Sequence, residues 1–152
     1  MPAWRVLVID DDPQIRETLG RFLRSHGSEV LVACNWPQGL EMVMAKRFDV
    51  VLTDLEMPGP DGIEVVKRVR DISPETAILM ITGYPSAEST AKALAEGCDG
   101  YISKPFYFDK LKYLITQSVV LRRSHREEPS KRTRKHESTT GPFARLIRVF
   151  RR

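Results

Sequence analysis

Between Trp4 and about Val120 the chain alternates short apolar runs with longer stretches in which apolar residues recur at helical spacing. Val6-Leu-Val-Ile9, Val30-Leu-Val-Ala33, Val50-Val-Leu-Thr53, Ala77-Ile-Leu-Met-Ile81 and Tyr101-Ile-Ser103 predict five strands. Several are apolar at successive positions, the pattern of a strand covered on both faces in a parallel sheet. Between them, Ile15, Leu19, Phe22 and Leu23 fall at i, i+4, i+7 and i+8 and predict one helical face. Leu40, Val43 and Met44 repeat the pattern, as do Ile63 and Val66, then Ala91, Leu94 and Ala95, and last Phe108, Leu111, Leu114 and Ile115. Asp12-Pro13 offers the first helix a side-chain cap and a first-turn proline, and Asp61 with Glu64 reads as a capping box for the third.

Five strand-helix units in succession require parallel strands and right-handed crossovers, so the predicted fold class is α/β, a doubly wound five-stranded parallel sheet with five helices. Ligands in such sheets bind beyond the carboxyl ends of the strands. The residues at those ends are Asp10, Asp11 and Asp12 after the first run, Asp54 after the third, Thr82-Gly83 after the fourth and Lys104-Pro105 after the fifth.

Carboxylates brought within about 4 Å of one another repel by several kcal/mol even at an effective dielectric near 20, so positive charge must sit among them. Lys104 supplies one such charge. Two or three clustered carboxylates beside open coordination positions also suit a hard, partly hydrated ion such as Mg²⁺. The chemistry this permits is phosphoryl transfer to a carboxylate, with the metal screening the repulsion of the incoming phosphate. Asp54 stands alone at its strand end and is the candidate nucleophile; Asp10 and Asp11 form a pair suited to holding the cation, and Asp12 reads as a helix cap.

The 152 residues, 41% hydrophobic and 29% charged, suit one domain of ordinary size with some excess. No apolar run approaches the roughly 18 residues needed to span a bilayer, and the N-terminus has no long apolar stretch of the kind a signal peptide carries. Cys34 and Cys98 form no CxxC and have no nearby histidine pair; they are expected to be small core hydrophobes, in a reducing, cytoplasmic setting. His26, His125 and His136 are assigned no catalytic role.

Charge divides the chain. Residues 122–152 hold 11 lysines and arginines against three acids, whereas the remainder holds 13 basic residues against 17 acidic ones. The expected organisation is a domain over 1–121, a basic disordered linker over 122–142 and a short basic amphipathic tail over 143–152. In that tail Phe143, Leu146, Ile147 and Phe150 share a helical spacing among four arginines. It is too short for a helix-turn-helix unit, so sequence-specific DNA binding is not expected. Its chemistry suits an anionic surface, either a membrane face or an acidic protein.

Val8-Ile-Asp-Asp-Asp-Pro13, Leu52-Thr-Asp-Leu-Glu-Met-Pro-Gly-Pro-Asp-Gly62, Ile81-Thr-Gly83 and Ser103-Lys-Pro-Phe106 occur in this order. Together they resemble the response-regulator receiver domain, the phosphoacceptor module of two-component signalling, over residues 4 to about 121. The resemblance implies a strand order 2-1-3-4-5. It implies a phosphoryl group accepted on Asp54 from a sensor histidine kinase or phosphotransfer protein, and Mg²⁺ held by Asp10, Asp11, Asp54 and the Glu56 backbone carbonyl. Lys104 would contact the phosphoryl oxygens, and the Lys104-Pro105 bond is expected to be cis.

The same resemblance makes Thr82 and Tyr101 the switch: Thr82 moves towards the phosphoryl group and Tyr101 turns inward, remodelling the face of the fourth helix, fifth strand and fifth helix. Glu56 is the variable position, and its acidic side chain is implied to face the site. The expected protein is a single-domain response regulator, a phosphoacceptor rather than a classical enzyme, acting by partner binding, by phosphorelay or as a phosphorylation-dependent homodimer. Two alternatives stand beside it. One is a haloacid-dehalogenase-type phosphatase using the Asp10-Asp11-Asp12 run, whose pattern Gln14 fits poorly; the other is a constitutive adaptor acting through the basic tail.

Overall fold

Residues along the central strands are apolar on both sides of the pleat, and helices cover both sides. The computed structural model describes residues 3–59 and 61–136. The strands are β1 (Arg5–Ile9), β2 (Glu29–Ala33), β3 (Val50–Asp54), β4 (Ala77–Thr82) and β5 (Gly100–Ser103). They alternate with α1 (Pro13–Ser25), α2 (Trp36–Ala45), α3 (Gly62–Ile72), α4 (Ala87–Ala95) and α5 (Phe108–His136). The sheet has the order β2-β1-β3-β4-β5, with every neighbouring pair parallel. The predicted strands are all present, each within one residue of its expected limits.

Side chains alternate across the sheet at period two. Val6, Val8, Leu52, Leu79 and Ile81 pack with Leu19 and Leu23 of α1 and Leu111, Ile115 and Val119 of α5. Leu7, Ile9, Val51, Ile78 and Met80 pack on the other side with Trp36 and Val43 of α2 and Val65, Val66 and Val69 of α3. Each such fully buried side chain contributes about 1.5–3 kcal/mol from removal of apolar area from water. Close packing extends to backbone: a Cβ placed on Gly39 of α2 would lie 2.5 Å from Ile9 Cδ1.

The N-caps of α1 and α3 are the aspartates expected from the sequence. Asp12 and Asn35 accept from the amides of Gln14 and Gln38, with prolines in the first turns of α1 and α2. Asp61 caps α3 by accepting from Ile63 N, but the capping box expected with Glu64 is not formed there; among the described residues the box is that of Ser86 and Ser89 at the start of α4.

Four further expectations need correction. In α4 the buried residue is Ala93, while Ala91, Leu94 and Ala95 face outward, because this short helix meets the core through one residue only. Met44 is likewise exposed, and Val43 carries the contact of α2 with the core. Cys34 is exposed just beyond the end of β2, whereas Cys98 is buried.

The fourth concerns the chain after Leu121, expected to leave the helix as a disordered linker beginning at 122. Instead α5 continues to His136. Its arginines, lysines and glutamates are strong helix formers, and polarity alone does not oppose a helix that is already nucleated. Arg122 and Arg123 moreover return to the domain: Arg122 pairs with Asp99, and Arg123 Nη2 lies 3.0 Å from Asp49 Oδ1. Pro129 falls within the extended stretch and withholds one N–H from the helical ladder. The tail over 143–152 lies outside the described residues, as does Pro60.

Candidate functional site

The strand register brings the acids, the hydroxyl and the amine to one rim. Ile9 is level with Thr53, Asp54 with Ile81, and Thr82 with Ser103. Asp10, Asp54, Thr82 and Lys104 therefore leave adjacent strands at nearly the same height. Between β1 and β3 the chain order reverses, and this is where an open α/β sheet forms its ligand crevice.

Lys104 lies at the centre of the cluster. Its Nζ is 3.0 Å from Asp54 Oδ2 and 3.3 Å from Asp10 Oδ2. The other Asp54 oxygen, Oδ1, accepts from the amide of Glu56 at 2.8 Å. Asp10 Oδ1 accepts from Asp12 N at 2.9 Å, and the Arg16 guanidinium donates to the Asp10 carbonyl at 2.7 Å. Asp10 is 2% exposed and Asp54 7%, while Asp11 stands open to solvent.

Burial is the largest influence on Asp10 and holds its carboxyl above the ordinary range; the Asp12 amide and the Lys104 charge oppose it, and the nearby Asp54 charge adds to it. For Lys104 burial pulls downward, but the hydrogen bond to Asp54 and the charges of Asp10 and Asp54 together outweigh it and raise the amine above its usual value. Lys104 is therefore an ammonium at any physiological pH.

One carboxylate oxygen from each of Asp10, Asp11 and Asp54 lies within 4.8 Å of the others. Hard oxygen donors at such separations, one of them open to water, fit an octahedral ion that keeps part of its hydration shell. The residues that would hold Mg²⁺ are Asp10, Asp11 and Asp54.

Thr82 ends β4 with its side chain buried, its hydroxyl donating to Glu56 Oε1 at 3.1 Å and accepting from Tyr84 N at 3.1 Å. Tyr101, on the edge strand β5, is 43% exposed and faces outward. The Lys104–Pro105 peptide is cis.

A profile of the response regulator receiver domain matches residues 6–116. The chain belongs to this family. It is a receiver domain of a response regulator, of the kind phosphorylated on aspartate in two-component signalling.

Among curated relatives, the transcriptional regulatory protein ZraR of Klebsiella oxytoca is 37% identical over 115 residues, 76% of this chain and 26% of that protein. The response regulator MprA of Mycobacterium ulcerans is 36% identical over 124 residues, 82% of this chain and 53% of that protein. The chain thus spans about half the length of MprA and about a quarter of ZraR. Among solved structures, a CheY-like receiver domain protein from Methanospirillum hungatei superposes with a TM-score of 0.77 at 28% identity, covering 82% of this chain and 99% of that one. The response regulator TrrA of Thermotoga maritima, solved with Mg(2+)-BeF, gives 0.68 at 35% identity, with 74% and 96% covered.

All seven receiver positions named from the sequence stand at or beside this rim or on β5, and Asp12 is a cap. Three features escaped the sequence reading. The contact of Arg16 in α1 with the Asp10 carbonyl, six positions back and before the helix, has no sequence mark. The Glu56–Thr82 hydrogen bond depends on how the loops after β3 and β4 approach each other. Asp49 and Asp99, each immediately before a strand, hold the arginines of α5; an acid at that position opposite a basic helix end was the available signal.

Proposed function

We propose that this receiver accepts a phosphoryl group on Asp54 from the phosphohistidine of a sensor kinase or phosphotransfer protein. The observation that carries the reading is Lys104, whose one ammonium binds both Asp54 and Asp10 at the rim. An Asp54 carboxylate oxygen attacks phosphorus, a P–O bond forms, the P–N bond breaks, and the imidazole nitrogen keeps the electron pair. Lys104, already protonated, turns an N–H towards the phosphoryl oxygens that gather beside Asp54. Mg²⁺, when bound, supplies charge that screens the acids from the incoming phosphate. The chain then acts as a phosphoacceptor and not as an enzyme with turnover on a foreign substrate.

Thr82 and Tyr101 are the switch in this reading, and output passes through the face of α4, β5 and α5 to a partner protein, a relay or a second copy. There Pro85, Ala87, Ala91, Leu94 and Tyr101 line an open groove. Phosphorylation shifts this face between two pre-existing arrangements by as much as the phosphoryl group prefers one of them. The basic segment 143–152 is assigned to docking on an anionic surface, and vesicle co-sedimentation with and without it tests that role. Among the described residues no helix is long and apolar enough to cross a membrane. The free thiols of Cys34 and Cys98 suit the cytoplasmic setting proposed here.

The deciding experiment is phosphorylation with acetyl phosphate and Mg²⁺, followed by mapping of the modified residue. Label on Asp54, absent in Asp54→Asn, is the expected result. Label on Asp10 instead would replace this reading with the phosphatase one.

A further inference from the structure

The Thr82 hydroxyl has a single proton, and that proton is already engaged. It is donated to Glu56 Oε1 at 3.1 Å, while the hydroxyl oxygen accepts from the backbone amide of Tyr84. An unprotonated phosphoryl oxygen is an acceptor only, so it bonds to Thr82 only by accepting the hydrogen bond that the hydroxyl now donates to Glu56. The two acceptors are mutually exclusive.

Glu56 is also fixed to the acceptor residue. Its own amide donates to Asp54 Oδ1 at 2.8 Å, so one residue touches the nucleophile through its backbone and the switch hydroxyl through its side chain. Its exposed side chain sets a carboxylate against the very hydroxyl that would contact a phosphoryl group. Both effects favour the arrangement without phosphate.

We infer that Glu56 is a positioning residue that latches Thr82 in the resting arrangement and thereby sets how much phosphoryl binding energy is needed to throw the switch. The inference rests on the phosphoacceptor reading of Asp54 and adds to it a residue that opposes the phosphorylated state. A hydrogen bond to a charged acceptor is stronger than one between neutral groups, and its loss should be measurable as an equilibrium shift. Because the latch acts on the resting state, its removal increases the fraction of switched protein at any given ligand concentration.

The test compares wild type, Glu56→Gln and Glu56→Ala in two measurements. The first, on protein with neither metal nor phosphate analogue, is the Thr82 χ1 rotamer from NMR couplings. Gln retains an acceptor and should leave the rotamer in place; Ala should release it into averaging. The second is titration with beryllofluoride and Mg²⁺, followed at the Tyr101 ring resonances. Half-saturation should fall about tenfold in Glu56→Ala and by a smaller factor in Glu56→Gln, which loses the charge alone.

An unchanged Thr82 rotamer in Glu56→Ala overturns the latch, as does an unchanged or raised half-saturation concentration. Failure of the underlying reading looks different: wild type would then take no label on Asp54 from acetyl phosphate, whatever the rotamer of Thr82 does.

Discussion

Lys104 reaches Asp54 across 50 positions of sequence, its Nζ 3.0 Å from Oδ2, and the same ammonium also lies 3.3 Å from Asp10. One cation thus serves two carboxylates that would otherwise repel in a half-dry site. Replacing it with a neutral side chain leaves the acids to be neutralised by metal or by protons.

Lys104→Ala is therefore expected to lower the thermal midpoint in EDTA and to regain part of that loss when Mg²⁺ is added, since an ion that binds only the folded state stabilises it. Metal binding should persist while the surface change no longer follows phosphorylation. Phospho-dependent partner capture equal to wild type would refute the role given to this lysine.

Asp10 gives a pH signature in metal-free protein. Its carboxyl, raised chiefly by burial, binds a proton more tightly in the folded chain than in the unfolded one. Its contribution to stability is therefore complete below the ordinary value of 3.8 and is lost as pH rises through the raised value. Asp10→Asn should flatten this part of the curve of stability against pH in EDTA while weakening Mg²⁺ binding. Chemical denaturation across the acid range measures it, and superimposable slopes for the two proteins would contradict it.

The two thiols should react at very different rates. Burial pushes Cys98 up to about 11, its Sγ lying 2.9 Å from the Gly100 carbonyl, whereas Cys34 is exposed. At pH 8 only about one in a thousand Cys98 side chains is thiolate, the reactive form. Iodoacetamide should modify one thiol per native chain quickly and the second only in denaturant; two fast thiols would rule this out.

Asp99 bridges two arginines. Its Oδ2 accepts from Arg70 and from the amide of Ile78, both at 2.9 Å, and its Oδ1 from Arg122 Nε at 3.1 Å. Arg122→Ala, which removes the partly exposed member, should cost about 1 kcal/mol and speed amide exchange in α5 beyond Val119. Asp99→Ala should cost more, about 3 kcal/mol, because it leaves the largely buried Arg70 guanidinium without its counter-charge and the Ile78 amide without its acceptor. Urea denaturation ranks the two, and the reverse order would show that Asp99 is not the hub.

Gly39→Ala places a methyl group 2.5 Å from Ile9 Cδ1 and should cost about 1–3 kcal/mol through overpacking. Ile9→Val in the same chain opens that space, so the double variant should lose less than the sum of the two single changes. Strict additivity would place the strain elsewhere.

How much of this could be read from the sequence depended on whether the signal was local. The strands were legible because β1, β3 and β4 carry unbroken apolar runs, and Asp54 and Thr82 because they end such runs. The outward turn of α4 was not legible: Ala91, Leu94 and Ala95 have the spacing of a buried face, and only the neighbouring elements decide that Ala93 goes inward. The length of α5 was misjudged for a related reason. Polarity after Leu121 looked like an absence of partners, yet the partners of Arg122 and Arg123 are Asp99 and Asp49, distant in the chain. Glu56 meets Thr82 for the same kind of reason, across loops that no periodicity describes.

The rim of the sheet draws its side chains from the ends of four separate strands, with Lys104 supplied by the last of them at the open edge. Any local melting that frees β5 removes the ammonium while leaving the carboxylates behind. The tie between acceptor and lysine therefore reports on the integrity of the whole sheet, and a damaged or half-synthesised copy would carry the acids without the cation that joins them to the rest of the fold.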